Sequence, residues 1–102
     1  MEYKVLINLY ISEIEENYEF YIPVNKHVDE VISILNKAVN EITYGVYPIK
    51  ENLELVNRRT GEVYEKGAYI RNTSIKNGTQ LVIYWCIKDV KQMYYCLHLL
   101  FW

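Results

Sequence analysis

The chain has few cysteines and histidines, the residues that stabilise small proteins through disulfides and metal sites, and few glycines and prolines. It has two cysteines, two histidines, four glycines and two prolines among 102 residues. Two cysteines are too few for the disulfide framework of a small secreted domain. Few glycines and prolines, with 51% hydrophobic and 24% charged residues, exclude low-complexity disorder and are typical of one globular domain.

A surplus of basic charge, a signal peptide and a membrane span are also missing from the sequence. The formal net charge of −2 argues against nucleic-acid binding, which needs an excess of Lys and Arg on one face. The opening MEYKVLINLY has neither the long apolar run nor the cleavage site of a signal peptide. The uncharged stretch at residues 93–102 is too short for a transmembrane segment, which takes about 20 apolar residues. We therefore expect a cytoplasmic protein.

Side chains capable of chemistry do not occur in catalytic or metal-binding patterns. Cys86, Cys96 and His98 would need His27 as a fourth ligand to hold structural zinc, and reduced cysteines acting as small hydrophobes explain them better. No serine lies in a nucleophile motif, and no glycine-rich phosphate loop is present. Carboxylates cluster only in residues 12–17, SEIEEN, as expected of a solvated turn. We expect no enzyme activity, no cofactor and no metal.

One amphipathic helix is predicted over residues 25–42. Its apolar side chains fall within an arc of about 100° on a helical wheel, and they are Val28, Val31, Ile32, Leu35, Val39 and Ile42. Asn25 is the expected N-cap. Gly45 and Pro48 are expected to end the helix, Gly45 as the residue just past its C-terminus.

Strands are predicted on both sides of this helix. Apolar and polar residues alternate with period two in residues 3–10, 18–24, 53–57 and 81–87, and briefly in 62–64. The helix stripe can be buried only against a sheet, so the opening hairpin and the last strand must share one. A right-handed connection through the helix places the last strand parallel to the first. Ile75 is the expected buried anchor of the irregular segment before that strand.

Three local patterns together resemble the ubiquitin-like β-grasp family. The helix ends at Gly45 with Pro48 close behind, and a hairpin turn lies at Gly61. Residues 75–84, IKNGTQLVIY, resemble the I-x-x-G-x-x-L-x-I ending of these domains. Within the superfamily the sequence is most similar to the YukD/EsaB-like accessory proteins of bacterial type VII secretion.

The resemblance implies an α+β roll in residues 1–87, with a mixed sheet of four to five strands on one helix. It implies a non-catalytic domain that binds a protein partner, as an accessory or regulatory component of a type VII secretion system. Conjugation and sulfur carriage are not expected, because they need a C-terminal Gly-Gly. Here the chain continues instead into a hydrophobic tail, residues 88–102.

The sheet face that points away from the helix is the predicted contact surface. Exposed apolar patches on soluble proteins usually mark contacts, and in ubiquitin-like domains this face commonly binds partners. The predicted contact residues are Leu6, Tyr10, Tyr21, Val82 and Tyr84 on the sheet and Tyr95, Leu97, Leu99, Phe101 and Trp102 in the tail. The other interpretation is that half-exposed tyrosines are simply good strand formers.

The tail and one charged turn leave alternatives open. Residues 93–102 either fold over the outer tyrosines, add to the sheet of a neighbouring molecule or dip into a membrane interface. The second function indicated by the sequence is therefore a self-associating structural module that forms a homodimer through its tail. Arg58 and Arg59 at the hairpin tip either hold an acidic partner or form a solvated turn.

Overall fold

One helix packs on one face of a mixed β-sheet. The computed structural model describes residues 3–88 and 94–96, the positions from 85 onward by their backbone alone. The elements in chain order are β1 (Lys4–Ile11), β2 (Glu16–Pro23), α1 (Val28–Ile42), β3 (Leu53–Asn57), a 3-10 turn (Ile70–Asn72), β4 (Gln80–Lys88) and β5 (Tyr94–Cys96). The strand order is β2-β1-β4-β3, and β5 pairs with β4. The predicted α+β architecture is confirmed.

The central strand pair joins the two halves of the chain. β1 and β4 run parallel, as predicted, with Leu9 opposite Leu81. Just before β4, Asn77 Oδ1 accepts a hydrogen bond from the Leu6 N–H at 2.8 Å, and the Gly78 N–H donates to the Leu6 carbonyl at 2.8 Å. Gly78 has a φ of +88°, which glycine adopts without the clash a Cβ would cause. The Asn-Gly turn thus fixes the start of β4 against β1.

The core lies between α1 and the inner face of the sheet. Inward side chains alternate along each strand and recur once per turn along the helix. The buried set includes Ile7, Leu9, Ile11, Ile22, Val28, Val31, Ile32, Leu35, Val39, Leu53, Leu55, Leu81 and Ile83. Tyr18 and Phe20 are partly buried against it, and Ile75 is buried as predicted.

The helix starts later than its sequence pattern indicates. α1 begins at Val28 with His27 as its N-cap, so the prediction of Asn25 was wrong. His27 itself has an extended backbone and forms an antiparallel bridge with Tyr69, and the neighbouring Lys26 carbonyl accepts a hydrogen bond from the Ile70 N–H at 3.0 Å. This pairing with a distant segment holds the backbone out of the helical conformation until Val28.

Two helix positions differ from the predicted stripe. Ile42 lies in the last turn and is 44% exposed, although its angle on the wheel matches the stripe. Asn36, which is not part of the apolar stripe, is only 5% exposed. Its Nδ2 donates to the Lys50 carbonyl at 2.8 Å, and its Oδ1 accepts from the Lys50 N–H at 3.4 Å. Burial of this amide is tolerated because both of its polar atoms have partners.

The strand predicted over residues 62–64 is reduced to a single bridge between Val63 and Val56. Conversely, β5 lies within the segment predicted as tail, and the sequence pattern did not reveal it.

Beyond the strands, two loop tyrosines are buried, Tyr47 and Tyr64, each 2% exposed. Burial, followed by the nearby charge of Glu13, raises the pKa of Tyr47 to about 12.

Replacing the buried amide should weaken the fold. We expect Asn36→Leu to lower the free energy of unfolding by about 1–3 kcal/mol, because two hydrogen bonds to the partly buried Lys50 backbone are lost. Urea unfolding followed by circular dichroism measures this change. Ser33→Leu, at an exposed position on the same helix, is the control and should change stability by less than about 0.5 kcal/mol. Equal stabilities of the Asn36 variant and the parent would contradict the role assigned to the amide.

Stability should fall in alkali through Tyr47. Its pKa is about 12 in the folded chain and about 10 in an unfolded chain, so above pH 10 the unfolded state loses this proton first. The free energy of unfolding therefore falls with rising pH by at most about 1.4 kcal/mol per pH unit. Urea unfolding at a series of pH values between 9 and about 12 should show a shallower decline for Tyr47→Phe than for the parent. Parallel curves would contradict this prediction.

Candidate functional site

The outer face of the sheet, which points away from α1, carries the strand residues predicted to bind a partner. Because side chains alternate along a strand, the strand positions between the core positions lie on this face, and they include Leu6, Asn8, Tyr10, Asn17, Glu19, Tyr21, Glu54, Val56, Gln80, Val82 and Tyr84. The face mixes apolar, aromatic and charged groups, and its members differ strongly in exposure.

Among the predicted contact residues whose exposure the structure describes, the most accessible is Tyr21 on the edge strand β2, with 69% of its surface exposed. Leu6 lies directly opposite it on β1 and is half-buried. Cross-strand neighbours on one face have Cβ atoms about 5 Å apart. Tyr21 and Leu6 therefore form one accessible apolar margin, which we call the β2 margin.

The middle of the outer face is covered. Val82 is only 2% exposed and Val56, opposite it in the register, only 6%. Neither belongs to the core between helix and sheet. Val82 thus lies on the predicted face but offers almost no free surface, unlike the exposed residue expected from alternation.

Arg58 extends across this middle region. It follows β3 on one side of β4, and its guanidinium Cζ lies 4.1 Å from the centre of the Tyr10 ring on the other side. Its Nη1 is 3.5 Å from Asn17 Oδ1. Arg58 is exposed and lies in a turn, as the solvated-turn interpretation expects, and its side chain is in addition held against an aromatic ring of its own domain.

Tyr84 completes the middle of the face. It is half-buried, and partial burial raises its pKa, although the charge of Arg58 acts in the opposite direction. Tyr10 is half-buried under the arginine. The predicted strand residues are thus brought onto one face, and among them the β2 margin is the most open part.

A polar groove lies between the hairpin turn after β3 and the Asn77-Gly78 turn, lined in part by Arg59, Thr60, Lys76 and Thr79. On its wall, Ser74 Oγ donates to Glu62 Oε1 at 3.0 Å and lies 2.9 Å from the Tyr64 hydroxyl. Tyr64 also accepts from Asn57 Nδ2 at 3.1 Å. These polar groups bond one another and thereby hold the hairpin against the segment before β4.

Within residues 3–88 and 94–96, three potential metal ligands meet at one place, the start of α1: His27, Asp29 and Glu30. Glu30 Oε1 accepts the His27 N–H at 3.1 Å and lies 3.0 Å from its Nδ1. The backbone N–H and then the ring of His27 hold the pKa of Glu30 below its usual value. The His27 ring stacks on Tyr69 with centroids 4.2 Å apart. Helix capping and stacking account for this cluster.

An exposed apolar surface that sequence reasoning missed lies at the end of α1. Ile42, Tyr44, Val46 and Ile49 are 44%, 96%, 73% and 57% exposed, and we call them the helix-end patch. The signal for it in the sequence is the uncharged run ITYGVYPI at residues 42–49, which holds exposed apolar side chains as well as the residues that end the helix. It is a second candidate surface for a partner.

Most predicted contact residues of the tail lie outside the described residues: Leu97, Leu99, Phe101 and Trp102. Tyr95 lies in β5, opposite Ile87 in the backbone register. Association through the tail stays a prediction. In the part of the chain that is described, no helix is long and apolar enough to cross a membrane.

The stacking of Arg58 on Tyr10 should be measurable as a coupling energy. In a double-mutant cycle of Arg58→Ala and Tyr10→Leu, we expect a coupling of about 0.5–1 kcal/mol in the free energy of unfolding. Arg59→Ala is the control, and it should show no coupling to Tyr10→Leu. Additive effects of the Arg58 and Tyr10 substitutions would contradict the interaction.

No protein-family model matches the chain, and no curated protein matches it in sequence. Solved structures do match. A chain of the MycP5-free ESX-5 inner membrane complex is similar over 92% of this chain, with a TM-score of 0.71 and 17% identity. This chain covers 23% of the length of that subunit.

Two ubiquitin-like domains are also similar. The N-terminal ubiquitin-like domain of the 4931431F19Rik protein matches over 84% of this chain and 78% of its own length, with a TM-score of 0.58 and 13% identity. The ubiquitin-like domain of the Arabidopsis thaliana protein At2g32350 matches over 88% and 83%, with a TM-score of 0.54 and 12% identity. At such identities the likeness establishes the fold alone. The chain has an α+β ubiquitin-like fold, with a four-stranded mixed sheet and one helix.

Proposed function

We propose that this chain is a non-catalytic, cytoplasmic protein-binding domain that serves as an accessory or regulatory component of a bacterial type VII secretion system. The observation that carries the proposal is the structural match over 92% of the chain, at a TM-score of 0.71, to a subunit of the ESX-5 inner membrane complex. The similarity of residues 75–84 to the ending of YukD/EsaB-like proteins supports the same assignment. In this chain that motif connects β4 to β1 through Asn77 and Gly78.

Binding rather than catalysis is supported by where the reactive groups lie. His27 is the one histidine among the described residues, and its ring is engaged by Glu30 and by Tyr69. A nucleophile needs a base within hydrogen-bond reach. The hydroxyl of Ser74 is bonded instead to Glu62 and Tyr64, in a network that supports a hairpin.

The β2 margin is the proposed contact region for the partner. Tyrosine is enriched at the energetic centres of protein interfaces because it offers large apolar area with a polar tip. Tyr21 has most of its surface exposed, and Leu6 beside it extends the apolar area. Tyr10 contributes less accessible surface because Arg58 lies over its ring. Val82 contributes less because it is buried.

Co-purification with the secretion machinery tests the proposal. The tagged full chain is expressed in a host with a type VII secretion system, and the subunits of the detergent-solubilised membrane complex are quantified in the eluate. We expect the parent chain to enrich these subunits. Tyr21→Lys should reduce the enrichment about tenfold, because a charge at a central tyrosine contact costs more than 1 kcal/mol.

Tyr44→Lys is the matched control, since Tyr44 is also an exposed tyrosine but belongs to the helix-end patch. This variant should retain binding. Loss of binding in Tyr44→Lys alone would move the contact region to the helix-end patch. Absence of every secretion subunit from the parent eluate would reject the secretion role itself.

A further inference from the structure

The C-terminal strand pair brings the only two cysteines of the chain to one position. In the antiparallel pairing of β4 with β5, Cys86 lies directly opposite Cys96. Opposite residues in such a pair have Cα atoms about 4.5 or about 5.5 Å apart, depending on the hydrogen-bonding site. Disulfides join Cα atoms that are about 4.4–6.8 Å apart. The backbone register therefore suits a disulfide at either kind of site.

The two strands differ in how firmly the rest of the fold holds them. β4 is paired with β1 and with β3, and its pairing with β3 reaches as far as Trp85, next to Cys86. β5 has three residues and, among the described strands, pairs with β4 only. One cysteine thus belongs to a central strand and the other to a short strand attached through few backbone hydrogen bonds.

We propose that Cys86 and Cys96 form a thiol-disulfide site, a cross-strand disulfide that closes when the chain meets a small-molecule disulfide such as glutathione disulfide. The thiolate of one cysteine attacks glutathione disulfide, its S–S bond breaks, and one glutathione thiolate leaves. The second cysteine then attacks the mixed disulfide at the protein sulfur and releases the second glutathione. Two protein thiols are oxidised, one glutathione disulfide is reduced, and the two protons pass to the departing glutathione thiolates.

The consequence is a redox-dependent attachment of β5. In the disulfide state a covalent bond holds Cys96 beside β4, and the residues between the two cysteines form a closed loop. The uncharged segment at residues 97–102 begins immediately after that bond. In the dithiol state the strand is held by pairing alone. This inference concerns the thiols only, so it stands independently of the secretion role.

Redox titration of the full chain tests the proposal. The protein is equilibrated in glutathione buffers of graded oxidising strength, free thiols are blocked with an alkylating reagent, and the products are weighed by mass spectrometry. We expect one transition from a doubly alkylated chain to an unalkylated chain that has lost two hydrogen atoms. The transition should not depend on protein concentration, because both sulfurs belong to one chain.

A register-shifted variant is the matched control. In Tyr95→Cys/Cys96→Ser the second cysteine moves by one position, opposite Ile87 instead of Cys86. Successive positions alternate between faces along a strand, so the two cysteine positions of this variant lie on opposite faces of the strand pair in the backbone register. We expect this variant to need a glutathione buffer more oxidising by at least about tenfold.

Three results would overturn the proposal in this titration. They are equal transitions in the parent and the shifted variant, glutathione adducts on both cysteines of the parent without an internal bond, and disulfide-linked dimers as its main oxidised product. All three are visible in the masses, and the first two need no assumption about the partner or role of the protein.

Discussion

The fold depends on the parallel pairing of its first and last long strands. Leu9 and Leu81 face each other across this pair, and both are fully buried. Bringing residues so distant in the chain together costs loop entropy, and burial of the α1 stripe on the sheet offsets it. The bonds from Leu6 to Asn77 and Gly78 set the register at which the pair begins. A slip by one residue would send every inner side chain of β4 to the outer face.

Elements set by local periodicity could be predicted from the sequence, and those set by distant partners could not. The long strands, the helix and the parallel order follow from alternation, from the apolar stripe and from the need to bury it. The start of α1 does not, because His27 is kept extended by pairing near Ile70. The burial of Asn36 could not be predicted from the sequence either, because its side-chain amide forms hydrogen bonds with the loop backbone at Lys50. A polar residue next to an apolar helix stripe can be either buried or exposed, and the helical pattern does not distinguish the two.

The same distinction applies to the candidate contact surface. Alternation correctly assigns Tyr10 and Val82 to the outer face, but it carries no information about what crosses that face. Arg58 is distant from Tyr10 in the chain, and only the strand order brings the two together on either side of β4. A period-two pattern therefore identifies a surface without distinguishing its open part from its covered part. Because the centre of the outer face is covered, the β2 margin is the better candidate for contact with a partner.

The chemistry of the edge strand favours one mode of contact at that margin. In the part of the chain that the structure describes, β2 has one side unpaired in the sheet order, so its backbone is a potential template for another strand. It carries exposed charges at Glu16 and Glu19 and ends at Pro23, features that discourage pairing with a neighbouring edge. Tyr21 projects its ring from the face rather than from the edge. A partner at the β2 margin would therefore bind through side chains packed on Tyr21 and Leu6. It would not add a strand to the sheet at the edge of β2.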